Sequence, residues 1–473
     1  MQLVNIKYLF LLLITFSIFL LVSFSEDKNV SEKTPLTQRF DPEIQDFAFI
    51  LPNLEPVEGI PGIKAKDCAV CHQTIYNEWQ KSTHASALRD IQFQSEITKP
   101  DSPKWLCLNC HIPLQNQREY IVTHLLENDV FKPITKPNHQ FDPELQQEAV
   151  TCATCHVRQD DDSGKSYIIG PNGSELAPHP VRQDRRFLRN MCQRCHNPQG
   201  EALTPNLVCW FESTKELAEA LSQITATFGK PKDCVDCHMP EQQRLVADIF
   251  PDLPQREVNQ HSWVGSGIPK WYDGYDHLLE RGYESGLEIT VGNIDTAFSD
   301  NEMTVTIRFK NVRAGHYITT GDPERFILAM AALQDVSGKE LFRDKLRIGQ
   351  TWEWNPARKI ADNRLKQGEE REWKVKFDLP QNSNSLKFVV TVYHVRLNSE
   401  TAKYIIAAEG VDGALFENGQ HFVSNAIDYY PFASYIFKEE IEIKSGNRRE
   451  YSPRELIQLS KAEQGKALSE RVY

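Results

Sequence analysis

One short motif decides the fold of this chain, and it first occurs at Asp67-Cys68-Ala69-Val70-Cys71-His72. Further copies follow at regular intervals: Cys107/Cys110/His111, Cys152/Cys155/His156, Cys192/Cys195/His196 and Cys234/Cys237/His238. The pattern Cys-x-x-Cys-His is typical of c-type haem attachment, in which two thiols bond the haem and the histidine becomes the proximal ligand of its iron. The five copies therefore predict five covalently bound c-type haems as cofactors.

Zinc sites and disulfides are the alternatives to this interpretation. A zinc site usually closes with four ligands in two nearby pairs, whereas here every cysteine pair carries its own histidine at the same offset. The chain has 11 cysteines, and only Cys209 lies outside the motifs, so it has no spare partner for an intramolecular disulfide. Its apolar neighbours favour a buried, inert thiol, and a thiolate ligand to a haem iron is the alternative.

The N-terminus has the form of a targeting segment. Lys7 precedes an almost wholly apolar run, Tyr8 to Val22, and small residues follow at Ser23-Phe24-Ser25. This order indicates a secretory signal, but the run is also long enough to leave an uncleaved membrane anchor as an alternative. Residues 1–25 are therefore predicted to be a signal peptide or anchor, and residues 26–60 a linker. Both readings place the protein outside the cytoplasm, in the periplasm or facing the exterior, where c-type haem is attached.

Composition limits the kinds of partner. The 473 residues carry a formal charge of −12, which argues against nucleic acid. We expect redox partner proteins, which the sequence does not identify, and a membrane tether if the N-terminal segment is retained. The sequence does not determine the oligomeric state.

The predicted fold class is α+β with more than one domain. Residues 61–283 contain every motif and predict a mostly helical, loop-rich pentahaem domain. Each motif is expected on a short helix, because cysteines three positions apart then share one helix face. Longer helices are predicted over Thr74–Arg89 and Thr214–Thr227.

The C-terminal half has a different pattern. Short alternating runs predict β-strands, namely Leu287–Val291, Met303–Phe309, Glu372–Phe377 and Lys387–Tyr393. Several such strands predict a β-sandwich over residues 284–445. Residues 446–473 are predicted to be a helical tail, with a helix start at Ser452-Pro453-Arg454-Glu455.

The sixth ligand of each iron decides between electron transfer and catalysis. Five of the 14 histidines belong to the motifs, so nine remain for five positions. The distal candidates are His84, His179, His261 and His316. Other candidates are His124, His139 and His277, whereas His394 in a predicted strand and His421 in a late loop are more typical of structural residues.

A family resemblance supports these assignments. The pattern Cys68-x-x-Cys71-His72-x-x-x-Tyr76-x-x-Trp79-x-x-Ser82-x-His84 resembles the first haem segment of the cytochrome c554-like multihaem proteins. The resemblance implies that His84 ligates a different haem from the one just attached. By the same resemblance, His179 is a second ligand of this kind and His261 lies in a last-haem region. His316 lies in a Gly-His…Thr-Gly loop, like one in multihaem proteins with a C-terminal β-domain, and would point back at a haem. The fifth motif and the β-domain depart from the best-known family members.

The sequence therefore favours a pentahaem electron-transfer cytochrome over a catalyst. The alternative is a multihaem oxidoreductase that acts on nitrite or hydroxylamine at one open iron. Its anion site could include Arg182, Arg185, Arg186 and Arg189, although neutralising haem propionates is the simpler role for them. The chain has no Cys-x-x-Cys-Lys motif. A third reading is a filament subunit that lends a histidine to a neighbouring copy.

Overall fold

The structure is a computed structural model that describes residues 50–100, 102–173, 176–198, 212–263, 267–296, 302–354, 357–380, 386–413 and 415–473. The predicted signal or anchor (1–25), most of the predicted linker and Cys209 lie outside these ranges. Over the described ranges, no helix is both long and apolar enough to cross a bilayer.

The motif-bearing half is built from short elements. Its helices are α1 (Ala65–Ala69), α2 (Gln73–Gln80), α3 (Ile91–Glu96), α4 (Lys104–His111), α5 (Pro143–Gln147), α6 (Cys152–His156), α7 (Arg185–Asn190), α8 (Gln193–His196), α9 (Ser213–Phe228) and α10 (Cys234–His238). Three small sheets, which were not predicted, lie between them. They are formed by β1 (Tyr120–Leu125) with β2 (Pro133–Pro137), by β3 (Val157–Gln159), β4 (Ser166–Gly170) and β5 (Val181–Gln183), and by β6 (Glu241–Arg244) with β7 (Arg256–Asn259).

The helix predictions for this half are confirmed in part. Helix α9 matches the predicted Thr214–Thr227, and α4, α6, α8 and α10 each end on a motif histidine. The first motif differs, because α1 ends at Ala69, before Cys71 and His72. The prediction of one helix over Thr74–Arg89 is wrong. Helix α2 ends at Gln80, and the chain continues in turns because the indole of Trp79 donates to the Val150 carbonyl (2.8 Å) while the Val150 amide donates to the His84 carbonyl (3.3 Å).

Two facing sheets form the C-terminal half, as predicted. The strands are β8 (Leu287–Thr296), β9 (Glu302–Asn311), β10 (Phe326–Gln334), β11 (Glu340–Trp354), β12 (Ala357–Asp362), β13 (Glu370–Asp378), β14 (Lys387–Val395), β15 (Ala433–Glu442) and β16 (Arg448–Glu450). One sheet has the order β12-β11-β10-β14-β15-β16 and the other β13-β9-β8, with antiparallel pairing throughout. One apolar core contains residues of both sheets, such as Val305, Phe309, Val375, Phe388 and Val390.

Strand β10 was missed because it does not alternate. Its sequence Phe326-Ile-Leu-Ala-Met-Ala-Ala-Leu333 is buried on both faces. Ile327 and Leu333 enter the core between the sheets, whereas Leu328 and Met330 enter a second core outside the sandwich. A strand covered on both sides reads as a continuous apolar run, which cannot be told from a buried helix by periodicity.

The second core joins the two halves. It includes residues from helices α11 (Ser399–Ile406), α12 (Gly419–Ser424) and α13 (Ala426–Tyr429), and also Ile91 from α3 of the motif-bearing half. Beside it, the Tyr430 hydroxyl donates to Asp90 at the start of α3 (2.9 Å). The last helix, α14 (Pro453–Lys461), begins with the predicted Ser452/Glu455 capping box. It ends at Lys461 and so covers only part of the predicted helical tail, residues 446–473. The β-sheet half is thus packed directly against the part of the chain that carries the motifs.

Candidate haem-attachment site

All ten motif cysteines and all five motif histidines line one cavity. Its volume is about 1940 Å³, whereas a site for a small ligand usually has about 300–1,000 Å³. The ten cysteines are free thiols, and the part of the chain that the structure describes contains no group of three or more histidine, cysteine or acidic residues arranged to hold a metal ion. The cavity size and the donor set fit several large cofactors and do not fit closed zinc sites.

Three motif histidines face a second histidine across this cavity. The ring centroids are 6.1 Å apart in His84–His196, 6.2 Å in His156–His261 and 6.2 Å in His238–His316. A bond from a metal ion to an imidazole nitrogen is about 2.0 Å long, so two imidazoles on opposite sides of one ion have centroids ~6 Å apart. Each pair therefore has the spacing of two axial ligands to one metal.

His179 approaches the first motif. It lies close enough to His72 for the charge of that histidine to lower its pKa, after the larger effect of burial. The Nδ1 atom of His179 is buried and has no hydrogen-bond partner in the structure. The structure thus brings each of the four distal candidates near a different motif histidine, and only His316 lies near the motif that immediately precedes it in the chain.

Backbone carbonyls orient these imidazoles. The Nδ1 atoms of five histidines lie within 3.1 Å of a carbonyl oxygen: His72 with Val246, His111 with Ala87, His156 with Ile169, His261 with Asn259 and His316 with Tyr317. An Nδ1–H group that donates to a carbonyl leaves Nε2 as the free electron pair for a metal. Burial also lowers the pKa of several of these imidazoles, to about 3 for His84 and His261 and to about 4 for His111, His196 and His316. Neutral, oriented imidazole is the form that ligates metals.

The motif thiols show which attachment sites are neighbours. Thiols lie close enough to shift each other's pKa in the pairs Cys68–Cys152, Cys110–Cys195 and Cys192–Cys234. Cys155 and Cys195 are close enough to interact electrostatically. The first motif thus adjoins the third, and the fourth motif adjoins the second, the third and the fifth.

His111 of the second motif differs from the other motif histidines. Its ring is stacked on Phe93, with centroids 3.5 Å apart and planes at 4°. All 14 histidines fall within the described residues, and His111 has no ring contact with another of them. His124 and His139 are exposed, His277 pairs with Glu280, and His421 contacts Tyr429. His394 lies on β14 and lines the cavity.

Three arginines of the predicted cluster already have partners within the protein. Arg182 pairs with Asp160 and Arg189 pairs with Asp233 and Asp236, while Arg185 contacts Asn172. These carboxylates neutralise two of the four arginines. Arg185 and Arg189 nevertheless line the cavity, which leaves a contact with haem propionates open to them.

Sequence reasoning missed buried charges that line the cavity between the two halves. Lys270 forms an ion pair with Asp90, and Arg325 follows directly after the His316 loop. The Nε atom of Arg325 is buried and has no hydrogen-bond partner in the structure. After burial and the charge of His238, the charge of Arg325 contributes to the lowered pKa of His196. The sequence predicted only a loop around His316 and did not single out Lys270 or Arg325.

Comparisons with known proteins support the interpretation of the motifs. Residues 67–130 match the model of a family described as cytochrome c554 and c-prime. The fold is similar to that of a penta-haem cytochrome c552 from Thermochromatium tepidum, at 16% identity and a TM-score of 0.51, over 84% of this chain and 100% of that chain. A β-glucosidase 3B from Thermotoga neapolitana matches 36% of this chain and 18% of its own at 12% identity. Its TM-score of 0.13 is too low to indicate a shared fold. The resemblance to the cytochrome c554-like family and the α+β multidomain fold are both confirmed.

Proposed function

We propose that this chain, a multihaem c-type cytochrome, carries electrons through five covalently bound haems outside the cytoplasm. When bound, each haem supplies an iron that takes up and releases one electron. The observation that carries the proposal is the set of histidine pairs across the cavity, His84–His196, His156–His261 and His238–His316, each with ring centroids 6.1 or 6.2 Å apart.

The residues of the chain prepare this function in two ways. A second histidine closes the iron to small molecules, so that the site exchanges electrons without binding substrate. The carbonyl groups that hold the Nδ1 atoms fix the ring orientation, as an outer shell does around other metal sites. We assign the fourth pair to His72 and His179.

The contacts between thiols support a continuous route. The first motif leads to the third, because Cys68 contacts Cys152, and the third leads to the fourth through the neighbours Cys155 and Cys195. From the fourth motif the route divides to the second and the fifth. Electrons would enter and leave at the ends of this branched series of haem sites, through redox partner proteins. The net charge of −12 does not identify these partners.

Export to the periplasm or the exterior is part of the same proposal. The cytochrome family and the covalent attachment of haem favour it, and the predicted signal or anchor would provide it. A membrane tether and any filament assembly depend on residues outside the described part of the chain or on partner chains.

A second function is favoured by one observation. His111 is stacked on Phe93 and has no ring contact with any of the other 13 histidines, all of which the structure describes. One iron at the second motif would then keep an open position, where a small nitrogen compound such as nitrite or hydroxylamine could bind. A reaction there would also need groups that deliver protons and hold an anion.

We expect electron paramagnetic resonance of the oxidised protein, quantified per haem, to show four low-spin signals and one high-spin signal. The physical reason is that the proposal assigns a distal histidine to four motif histidines and none to His111. A mass measurement of the denatured protein would count five attached haems independently.

The outcomes separate the two functions. Five low-spin signals would remove the oxidoreductase alternative. A high-spin signal with turnover of nitrite or hydroxylamine that is lost in His111→Ala would favour it. Several high-spin signals would contradict the proposed electron-transfer role.

A further inference from the structure

A buried carboxylate holds the loop that presents His316. Glu216 lies in the first turn of α9, in the motif-bearing half, and is only 5% exposed. Its Oε2 atom accepts hydrogen bonds from the Tyr317 amide (3.1 Å) and the Thr320 hydroxyl (2.7 Å). Both donors belong to the loop between β9 and β10, in the C-terminal half. The two contacts bracket the segment that follows His316.

Arg364, which belongs to the C-terminal half like the loop, pairs with the other oxygen of the Glu216 carboxylate. The Oε1 atom of Glu216 lies 2.7 Å from a guanidinium nitrogen of Arg364, whose side chain is 7% exposed. Arg364 also pairs with Asp362 (2.8 Å) and donates to the Thr319 carbonyl (3.3 Å). A buried carboxylate is stable only when it is paired and its oxygens are hydrogen-bonded. The position of Glu216 therefore depends on the loop, and that of the loop depends on Glu216.

The loop also needs a close approach to α9. A Cβ atom at Gly315 would lie 3.0 Å from the Cδ1 atom of Ile224 and 3.2 Å from that of Leu217, so these side chains or the loop would have to shift to admit a larger residue. On the other side, the side-chain amide of Asn311 donates to the His316 carbonyl (2.9 Å). The loop is thus fixed before and after His316, and the imidazole stands nearly parallel to that of His238, at an angle of 10°.

We propose that Glu216 is a positioning residue for His316, which rests on the proposed role of His316 as an axial ligand. The clamp, defined as Glu216, Thr320 and Arg364, joins the two halves of the protein at the fifth haem. When it is broken, the loop moves away from α9, His316 leaves the iron, and the fifth site opens. Ligation at this site is in this way linked to the docking of the C-terminal half.

The test compares Glu216→Ala and Glu216→Gln with the control Glu219→Gln. Glu219 lies one turn further along α9 and is 44% exposed, and its carboxylate contacts only the Tyr317 hydroxyl of the loop. In the full-length holoprotein, each variant is examined by quantitative paramagnetic resonance, by carbon monoxide binding after reduction, and by thermal unfolding.

We expect Glu216→Ala to add one equivalent of high-spin, carbon monoxide-binding iron to the wild-type amount. Glu216→Gln, which keeps one acceptor oxygen but loses the charge that pairs with Arg364, should add a smaller fraction. Glu219→Gln should match the wild type. If Glu216→Ala does not fold, the Glu216→Gln variant supplies the same measurement.

Two results would overturn the inference. A lower unfolding temperature in the Glu216 variants with an unchanged spectrum would show that the clamp is only structural. Equal effects of Glu216→Gln and Glu219→Gln would show that the contact is not specific. The variant His316→Ala separates this from a failure of the proposed function: if its spectrum is also unchanged, His316 is not a ligand and the ligation scheme itself is wrong.

Discussion

Replacing Cys192 and Cys195 together with serine is expected to prevent the folded protein from accumulating. The fourth motif adjoins more motifs than the others do, because its thiols lie close enough to interact with Cys110, Cys234 and Cys155. Without these thiols the central haem is not covalently held. Because four of the five motifs adjoin one another here, this site supports the others.

The expected size of the effect follows from the cavity. One fifth of its 1940 Å³ is roughly 390 Å³, and unfilled apolar volume costs ~24 cal/mol per Å³, so the loss is on the order of 9 kcal/mol. The total free energy of unfolding of a domain is about 5–15 kcal/mol. Loss of one central cofactor would therefore cancel most of the stability.

The yield of soluble holoprotein and its mass measure this effect. The matched control is the double substitution Cys68→Ser and Cys71→Ser, because the first motif lies at an end of the chain of sites, with the thiol of Cys152 as the neighbour of Cys68. We expect the control to yield some four-haem protein with a lowered unfolding temperature. If the Cys192→Ser/Cys195→Ser variant accumulates at wild-type yield, the folded state does not depend on covalent haem attachment at the fourth motif.

Replacing His84 with alanine is expected to open one iron without removing a haem. His84 is buried opposite His196, and the indole of Trp263 packs edge-on against it at 4.5 Å. Alanine at this position leaves a space of imidazole size in the lining of the cavity. The surrounding lining stays in place because Trp263 and the hydrogen bond between Trp79 and Val150 are unchanged. We expect one further equivalent of high-spin iron, which binds carbon monoxide when reduced.

The reduction potential should change as well. Axial ligands tune haem potentials over about 0.8 V, so the loss of one histidine should shift a single step of the redox titration and leave the others in place. His277→Ala is the control, because His277 is exposed and pairs with Glu280. An unchanged spectrum in His84→Ala would contradict the pairing with His196.

The resemblance to the cytochrome c554-like family named His84, His179, His261 and His316 as distal ligands but not their partners. Each pair joins residues that are far apart in the chain, so the partner depends on how the elements pack. The pair His238–His316 shows this most clearly, because α10 and the loop after β9 belong to different halves. The resemblance implied a haem contact for His316, whereas Glu216 and Arg364, which hold its loop, carried no sequence signal.

The sequence by itself predicted the attachment chemistry and determined much of the local structure. The spacing Cys-x-x-Cys-His is a local covalent pattern, and strands such as β9 and β14 alternate because each has one face in the core between the sheets and the other outside it. The tertiary structure alone decided which histidines face each other, which thiols are neighbours, that His111 is stacked on Phe93, and that β10 is a strand at all. These features depend on contacts between distant segments, whose formation is governed by burial and packing rather than by any local order of residues.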